Sequence, residues 1–399
     1  MPRPCERLAS EQIPVTERLL ILPLYCLCSA PALAAPVKWT LGIEAGSELD
    51  TNVHRVEYPR PGESQYGVEP AIGGKAALRL SLRAKPVRGH ATQLSTVLAG
   101  RKFAPSGQDA NEDMGVISLD AQHAALLGDA PLRAFASLSY YDSFQRDSLD
   151  GVRSADGSLG LTLVGEGDHR VTTSFGMQLF HFKPDPTLDF EAMHAGLRYG
   201  HVFFAGPEDD SPAYDFGLEY AVHRRALEIP SLVNTCPPEK ASTPDGKPDP
   251  SCRRATGHDR RDLFHSAAVE LRYTGSRIFS ARYDLMVNDS TSYGESLRRH
   301  RLTLSATTRT FLDVFFTVKT VLQKVDFVDS LLVSRGIGSF VVQDEGRNAL
   351  LVQLTKDIGD NWSVEGRYAA YARAFLRDSS VSYLREVFYL GLAYTITRN

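Results

Sequence analysis

From Asp262 to Gly275 the chain reads DLFHSAAVELRYTG, and Ala267, Val269, Leu271 and Tyr273 alternate with Ser266, Ala268, Glu270 and Arg272. An extended strand turns successive side chains to opposite faces, so this spacing makes one face apolar and the other polar. The same period recurs at Phe216, Leu218, Tyr220 and Val222, at Leu78, Leu80 and Leu82, and at Leu159, Leu161 and Leu163. Phe279, Ala281, Tyr283, Leu285 and Val287 repeat it, and so do Phe388, Leu390, Leu392, Tyr394 and Ile396 close to the end of the 399 residues. A period of two running through most of the chain predicts an all-β protein.

Sixteen strands are expected: 37–48, 72–86, 90–104, 113–126, 131–145, 154–166, 168–182, 188–204, 212–227, 261–274, 277–290, 297–311, 313–328, 346–358, 361–377 and 383–397. Joins after even-numbered strands are mostly tight, as in PVRG, GDAP and DIGDN, whereas those after odd-numbered strands are mostly longer and polar, as in APSGQDANED. A soluble sandwich has no reason to sort its loops by parity. A transmembrane, antiparallel up-and-down β-barrel does, with short periplasmic turns, long outer loops and, for an even count, both termini in the periplasm. The mean hydropathy of -0.21 agrees, because a barrel wall needs only one apolar residue in two. Trp39, Tyr199, Tyr220, Tyr273, Trp362, Tyr368 and Tyr394 are candidates for its interfacial aromatic girdles.

Arg18 precedes an apolar run from Leu19 to Leu27, followed by APALAA with Ala32 and Ala34 at the positions a signal peptidase reads. The expectation is a signal peptide at 1–34 and one barrel domain at 35–399. The run is too short for a bilayer-spanning helix, which needs roughly 20 residues. Cys236 and Cys252 flank a Pro-, Lys- and Asp-rich stretch read as a long solvated loop, and two cysteines in one loop of an exported chain predict a disulfide. LLVSRGIGSFVVQ, at 331–343, reads as an extra hairpin, or as a segment folded into the barrel mouth.

With the apolar face turned to lipid, the opposite face lines the lumen. It carries Lys38, Arg79, Arg83, Arg101, Arg133, Arg198, Arg272, Arg282, Arg301, Arg309, Lys319, Arg367 and Arg373 against Glu44, Asp215, Glu219, Glu270, Asp284 and Glu365. The whole chain has a net charge of -4, so a basic lumen would leave the acidic excess in the loops. Fixed positive charge between low-dielectric walls favours anions. The competing reading is that these residues pair across strands and keep a filled barrel neutral. No basic run marks a nucleic-acid surface, and nucleic acid is not an expected partner. GxSxG, GxxxxGK[ST] and HExxH are missing from the sequence, and the scattered His181, His194 and His223 read as wall or lumen residues. No catalytic residue, metal site or cofactor is expected, and an outer-membrane hydrolase is kept only as a minor alternative.

The segment from Trp39 to Arg55, with Asp50, Asn52, Val53 and Arg55, resembles the first strand and loop of porin-like Gram-negative outer-membrane barrels. Some of these accompany exopolysaccharide export, and the resemblance implies transport of a polymer or small solutes across the outer membrane. Gly391, Tyr394 and Ile396 resemble the spacing read by barrel-assembly machinery, although the chain continues to Asn399 where many such proteins end on an aromatic residue. The expected partners are outer-membrane lipid, that machinery, and components of an export or envelope complex. A passive outer-membrane pore for anionic solutes or exopolysaccharide is the leading expectation. A non-conducting structural or adhesion barrel competes with it.

Overall fold

A computed structural model describes residues 37–52, 70–85, 89–104, 113–128, 130–145, 151–183, 185–204, 212–237, 252–310, 312–328, 348–374 and 382–398. The strands are β1 (Val37–Asp50), β2 (Ala71–Ala84), β3 (His90–Phe103), β4 (Met114–Leu126), β5 (Leu132–Gln145), β6 (Val152–Val164), β7 (His169–Phe182) and β8 (Phe190–Phe204). They continue as β9 (Ala213–Asn234), β10 (Arg253–Thr274), β11 (Arg277–Ser290), β12 (Leu297–Arg309), β13 (Val314–Phe327), β14 (Asn348–Asp357), β15 (Trp362–Ala374) and β16 (Ser382–Arg398). Each pairs antiparallel with its sequence neighbours, and β1 pairs with β16 from Trp39↔Arg398 to Asp50↔Val387. The ring is closed, so no strand is left with an unpaired edge. Among the described residues no helix is long and apolar enough to cross a membrane, and the short 3-10 turns at Glu166–Asp168 and Pro186–Leu188 lie in joins.

Tight joins follow β2, β4, β6, β10, β12 and β14. Gly128 and Gly167 take left-handed backbone there, with φ of 65° and 69°, a conformation that glycine adopts without steric cost. The largest departure from the expected strands concerns β9 and β10. The expected ends at 227 and 261 are overrun, and both strands extend to 22 residues, pairing up to Asn234↔Arg253. Part of the stretch read as loop is therefore a β ribbon. Its tip is tied by the disulfide Cys236–Cys252, with Cα atoms 5.1 Å apart. Register slips between Ala255 and Arg261, opposite Pro230, a residue that cannot donate to the ladder. The expected signal peptide at 1–34 and the stretch 331–343 lie outside the described residues.

One face of the wall is apolar and open. Leu390 is 65% exposed, Phe388 45% and Leu392 48%, while Tyr389 between them is 5% exposed. Followed strand to strand through the register, the exposed apolar set (Leu78, Leu98, Ile117, Leu161, Phe175, Leu197, Leu218, Leu271, Phe279, Leu304, Leu322, Leu354) stays on that face all the way round. It is the convex outside. Exposed apolar surface this extensive on a folded chain marks a face that water does not cover. Trp39, Tyr199, Tyr220, Tyr273, Trp362, Tyr368 and Tyr394 all point outward, with Trp362 and Tyr394 packed at 4.9 Å.

Candidate functional site

The inward face is built by the alternate residues, and the register brings charges from distant parts of the chain together there. At the β1–β16 closure, Glu44 accepts hydrogen bonds from Arg79 on β2 (2.6 Å) and Arg367 on β15 (2.8 Å), with the Lys75 ammonium at 3.9 Å. Arg367 also pairs with Glu365, and both Arg367 and Lys75 lie over the Tyr389 ring, at 4.8 and 5.1 Å. That ring needs space beside the backbone. A Cβ on Gly46 would lie 2.7 Å from Tyr389 Cε2, and one on Gly391 would lie 2.1 Å from its hydroxyl. Two glycines thus form the slot into which the tyrosine folds. Arg101 reaches Glu48 at 3.7 Å next to this cluster.

Across the barrel the arrangement is reversed. Arg282 on β11 is ringed by Glu219 (3.2 Å), Glu270 (3.5 Å) and Asp284 (2.8 Å), and Arg198 also reaches Glu270 at 3.5 Å. Four residues along β8 and β9 from Arg198 and Glu219, His194 bonds Asp156 of β6 at 2.9 Å and its ring stacks on His223 at 5.3 Å.

Toward the long-loop end the inner wall becomes apolar and packed. Val152, Phe180, Phe190, Ala192 and Leu227 form one buried cluster, and Phe264, Met286 and Leu297 another. The Arg225 guanidinium sits against Phe190 and Phe264, 4.6 and 4.1 Å from their ring centres. Two buried ion clusters hold the same rim. Arg385 bonds Asp50, and Asn52 donates its backbone N–H to Asp50 (3.0 Å) and its amide to the Leu384 carbonyl (3.2 Å). Arg260 bonds Asp262 (2.8 Å) and Glu295 (3.3 Å). Burial pushes the carboxyl of Glu295, in the β11–β12 join, above its ordinary range, with Arg260 pulling it back. Asp50 and Asn52 of the sequence motif are therefore a rim latch. Val53 and Arg55 lie outside the described residues.

The short-turn end differs. Lys38 on β1, Arg83 on β2, Arg133 on β5 and Arg272 on β10 face inward near that mouth, are exposed, and make no ion pair among the described residues. Arg170 on β7 does the same, and Lys319 on β13 is exposed higher on the wall. Arg309 pairs with Asp313 at 3.2 Å, and Asp215 lies opposite Arg272 in the register without an ion pair to it.

All six acidic residues expected to line the lumen, and all of the basic ones, occupy inward-facing register positions; for Arg373 the position is given by its pairing with Tyr383, and its side chain lies outside the described residues. The structure divides the basic residues. Arg79, Arg101, Arg198, Arg282, Arg309 and Arg367 are paired, while Lys38, Arg83, Arg133, Arg272, Arg301 and Lys319 make no ion pair among the described residues. Lys75, Arg170, Arg225, Arg260, Arg299 and Arg385 also face inward, as do the acids Glu48, Asp50, Asp120, Asp156, Asp262 and, at the short-turn mouth, Asp357. Parity carried six positions along from Glu219 reaches Arg225, and two positions back from Arg301 reaches Arg299. Asp262 shares the parity of Glu270 within the expected strand 261–274, whereas Arg260 was hidden by the reading of 228–260 as loop. Among the described residues no group of three or more His, Cys, Asp or Glu side chains could hold a metal.

No protein-family model matches the chain, and no curated protein matches it. Several solved structures are similar. A bacterial polysaccharide outer membrane secretin is 7% identical, covered over 91% of this chain and 99% of that one, with a TM-score of 0.42. OmpF of Salmonella typhi, in complex with daunomycin, is 13% identical over 90% and 97%, with a TM-score of 0.46. The outer membrane protein opdK from Pseudomonas aeruginosa is 11% identical over 91% and 99%, with a TM-score of 0.41. These similarities are too distant to add to the architecture, which rests on this chain's own strand pairing.

Proposed function

We propose that the chain is an outer-membrane β-barrel pore of a Gram-negative bacterium whose interior favours anionic solutes. The observation that carries the reading is the combination of a closed sixteen-strand ring, apolar outside, with exposed bases at one inner mouth that make no ion pair among the described residues. A closed barrel satisfies every backbone group without water and so can stand in lipid. A ring of this size is wide enough for an aqueous channel. Lys38, Arg83, Arg133, Arg170 and Arg272 then form a positive entrance that concentrates anions between low-dielectric walls. The ends of β1 and β16 at Val37 and Arg398, brought together by their pairing, would face the periplasm, and the long joins would face outward. Barrel-assembly machinery would read β16, with Gly391, Tyr394 and Ile396, during insertion.

Planar-bilayer recording under a KCl gradient tests this. The expected reversal potential has the sign of anion preference, and replacing Arg83, Arg133 and Arg272 together by Gln moves it toward cations. Cation preference in the unsubstituted protein overturns the basic-entrance reading. Folded protein without current returns the non-conducting structural barrel. Anionic exopolysaccharide is a cargo of matching charge, and release of a labelled anionic polymer from proteoliposomes, alongside small anions, separates polymer export from solute passage.

A further inference from the structure

The outward face of β9 to β13 is apolar from the short-turn end upward and then changes character. Tyr214, Tyr273 and Phe279 form a run of tilted rings near that end, with successive ring centres 5.1 and 6.2 Å apart. Higher up, Tyr220 bonds His265 Nδ1 (2.8 Å) and Tyr283 bonds His300 Nδ1 (2.7 Å), a row of amphipathic rings of the kind that gathers at membrane interfaces. Beside and above that row, on the same outward face, stand Arg224 on β9, Arg261 on β10, Arg298 on β12 and Lys324 on β13, all exposed, with Lys324 opposite His300 in the register. Arg224, Arg261 and Arg298 have no ion-pair partner among the described residues, whereas Lys324 pairs with Asp326 at 2.8 Å. Among the described residues, Asp289 on β11 and the exposed Glu228 on β9 are carboxylates on this stretch of wall.

Their height is informative. From Tyr214 to Arg224, Tyr273 to Arg261, Thr308 to Arg298 and Phe316 to Lys324 the strands run eight to twelve residues. At about 3.3 Å per residue and a tilt of about 40° that is a rise of roughly 20 to 30 Å. An outer-membrane apolar band is about 25 Å tall, so the four cations stand where lipid phosphates lie. Strands β9 to β12 span about 14 Å at about 4.8 Å per strand, wider than a single phosphate can bridge.

We infer that outward-facing Arg224, Arg261 and Arg298, with Lys324 beside them, seat the headgroup of an outer-leaflet lipid that carries more than one phosphate. The guanidinium groups fork onto phosphate oxygens, and the acyl chains lie against Leu263, Leu285, Leu302 and Leu322 just below. This rests on the membrane-spanning reading above, since a lipid can reach the wall only if the barrel is embedded.

The full-length protein in phosphatidylcholine nanodiscs, doped with equal amounts of lipid A (a glycolipid bearing two phosphates) or phosphatidylglycerol, provides the test. Lipid retained per protein after stripping with zwitterionic detergent is counted by mass spectrometry. The expected result is selective retention of lipid A, reduced at least about tenfold in R224Q/R261Q/R298Q and unchanged in K356Q at the opposite end of the outer wall. Channel conductance of the triple variant is expected to match the unsubstituted protein. Equal lipid A retention by the triple variant overturns the seat. Equal retention of phosphatidylglycerol, or release of lipid A by millimolar inorganic phosphate, overturns its assignment to a multiply phosphorylated headgroup. Loss of insertion and conductance in the unsubstituted protein is a failure of the membrane reading, which the conductance arm reports separately.

Discussion

Two charge clusters on the inner wall are mirror images in composition and differ in setting. Around Glu44, three bases converge on one carboxylate whose side chain is 3% exposed. Around Arg282, three carboxylates converge on one guanidinium that is 33% exposed. The first sits where β1 meets β16 and joins the two ends of the chain through β2 and β15; the second lies on consecutive strands of the opposite wall. A buried carboxylate stripped of water depends on its partners, and removing one side of such a pair leaves an uncompensated charge. A half-exposed cluster is partly screened and holds its geometry less tightly. Similar ion pairing thus stabilises barrel closure at one wall and leaves more open charge on the inner face of the other.

The largest effect expected from breaking this contrast is at the seam. Glu44→Ala leaves Arg79, Arg367 and Lys75 facing one another without their carboxylate and should cost about 3 to 5 kcal/mol. Urea titration of the protein folded into vesicles measures it, and a cost below about 1 kcal/mol would place Glu44 in the same class as the half-exposed cluster.

A smaller effect is expected from the slot that holds Tyr389. Gly391→Ala drives a methyl group into the Tyr389 hydroxyl and the Ala45 carbonyl and should cost about 1 to 3 kcal/mol. Gly366, on the neighbouring strand, has open space where a Cβ would stand. Gly366→Ala in the same titration should be neutral or slightly stabilising, because alanine loses less backbone freedom on folding. Equal costs at the two glycines would remove the packing account of the seam.

The smallest change in stability belongs to Arg282. Arg282→Gln should shift folding by less than about 1 kcal/mol, as exposed ion pairs do. It frees Glu219, Glu270 and Asp284, so the reversal potential should move toward cations. The shift should shrink at about 1 M salt, where the screening length is about 3 Å. A large loss of stability with unchanged selectivity would make this cluster structural like its counterpart.

Much of the architecture was legible in the chain because strand alternation and turn length are local properties. Each strand declares its own two faces, and tight and long joins declare the direction of the next strand. The faces of Phe388 to Ile396, and of Arg282 and Glu270, followed from parity alone. The extension of β9 and β10 did not, because Pro230 and the Pro- and Lys-rich sequence before Cys252 carry loop composition, and the pairing of the arms at the disulfide overrides it.

Local sequence thus determined that the chain has sixteen two-faced strands, and which residues turn inward. Only the closed tertiary structure decided which inward charges are quenched. Glu44 and Arg367 are 323 positions apart, and Asp50 and Arg385 are 335 apart, so their pairing exists only once the last strand meets the first. The side of a strand on which a residue lies is set by its immediate backbone. The charge it meets there depends on register around the whole ring, a long-range quantity that no single segment carries.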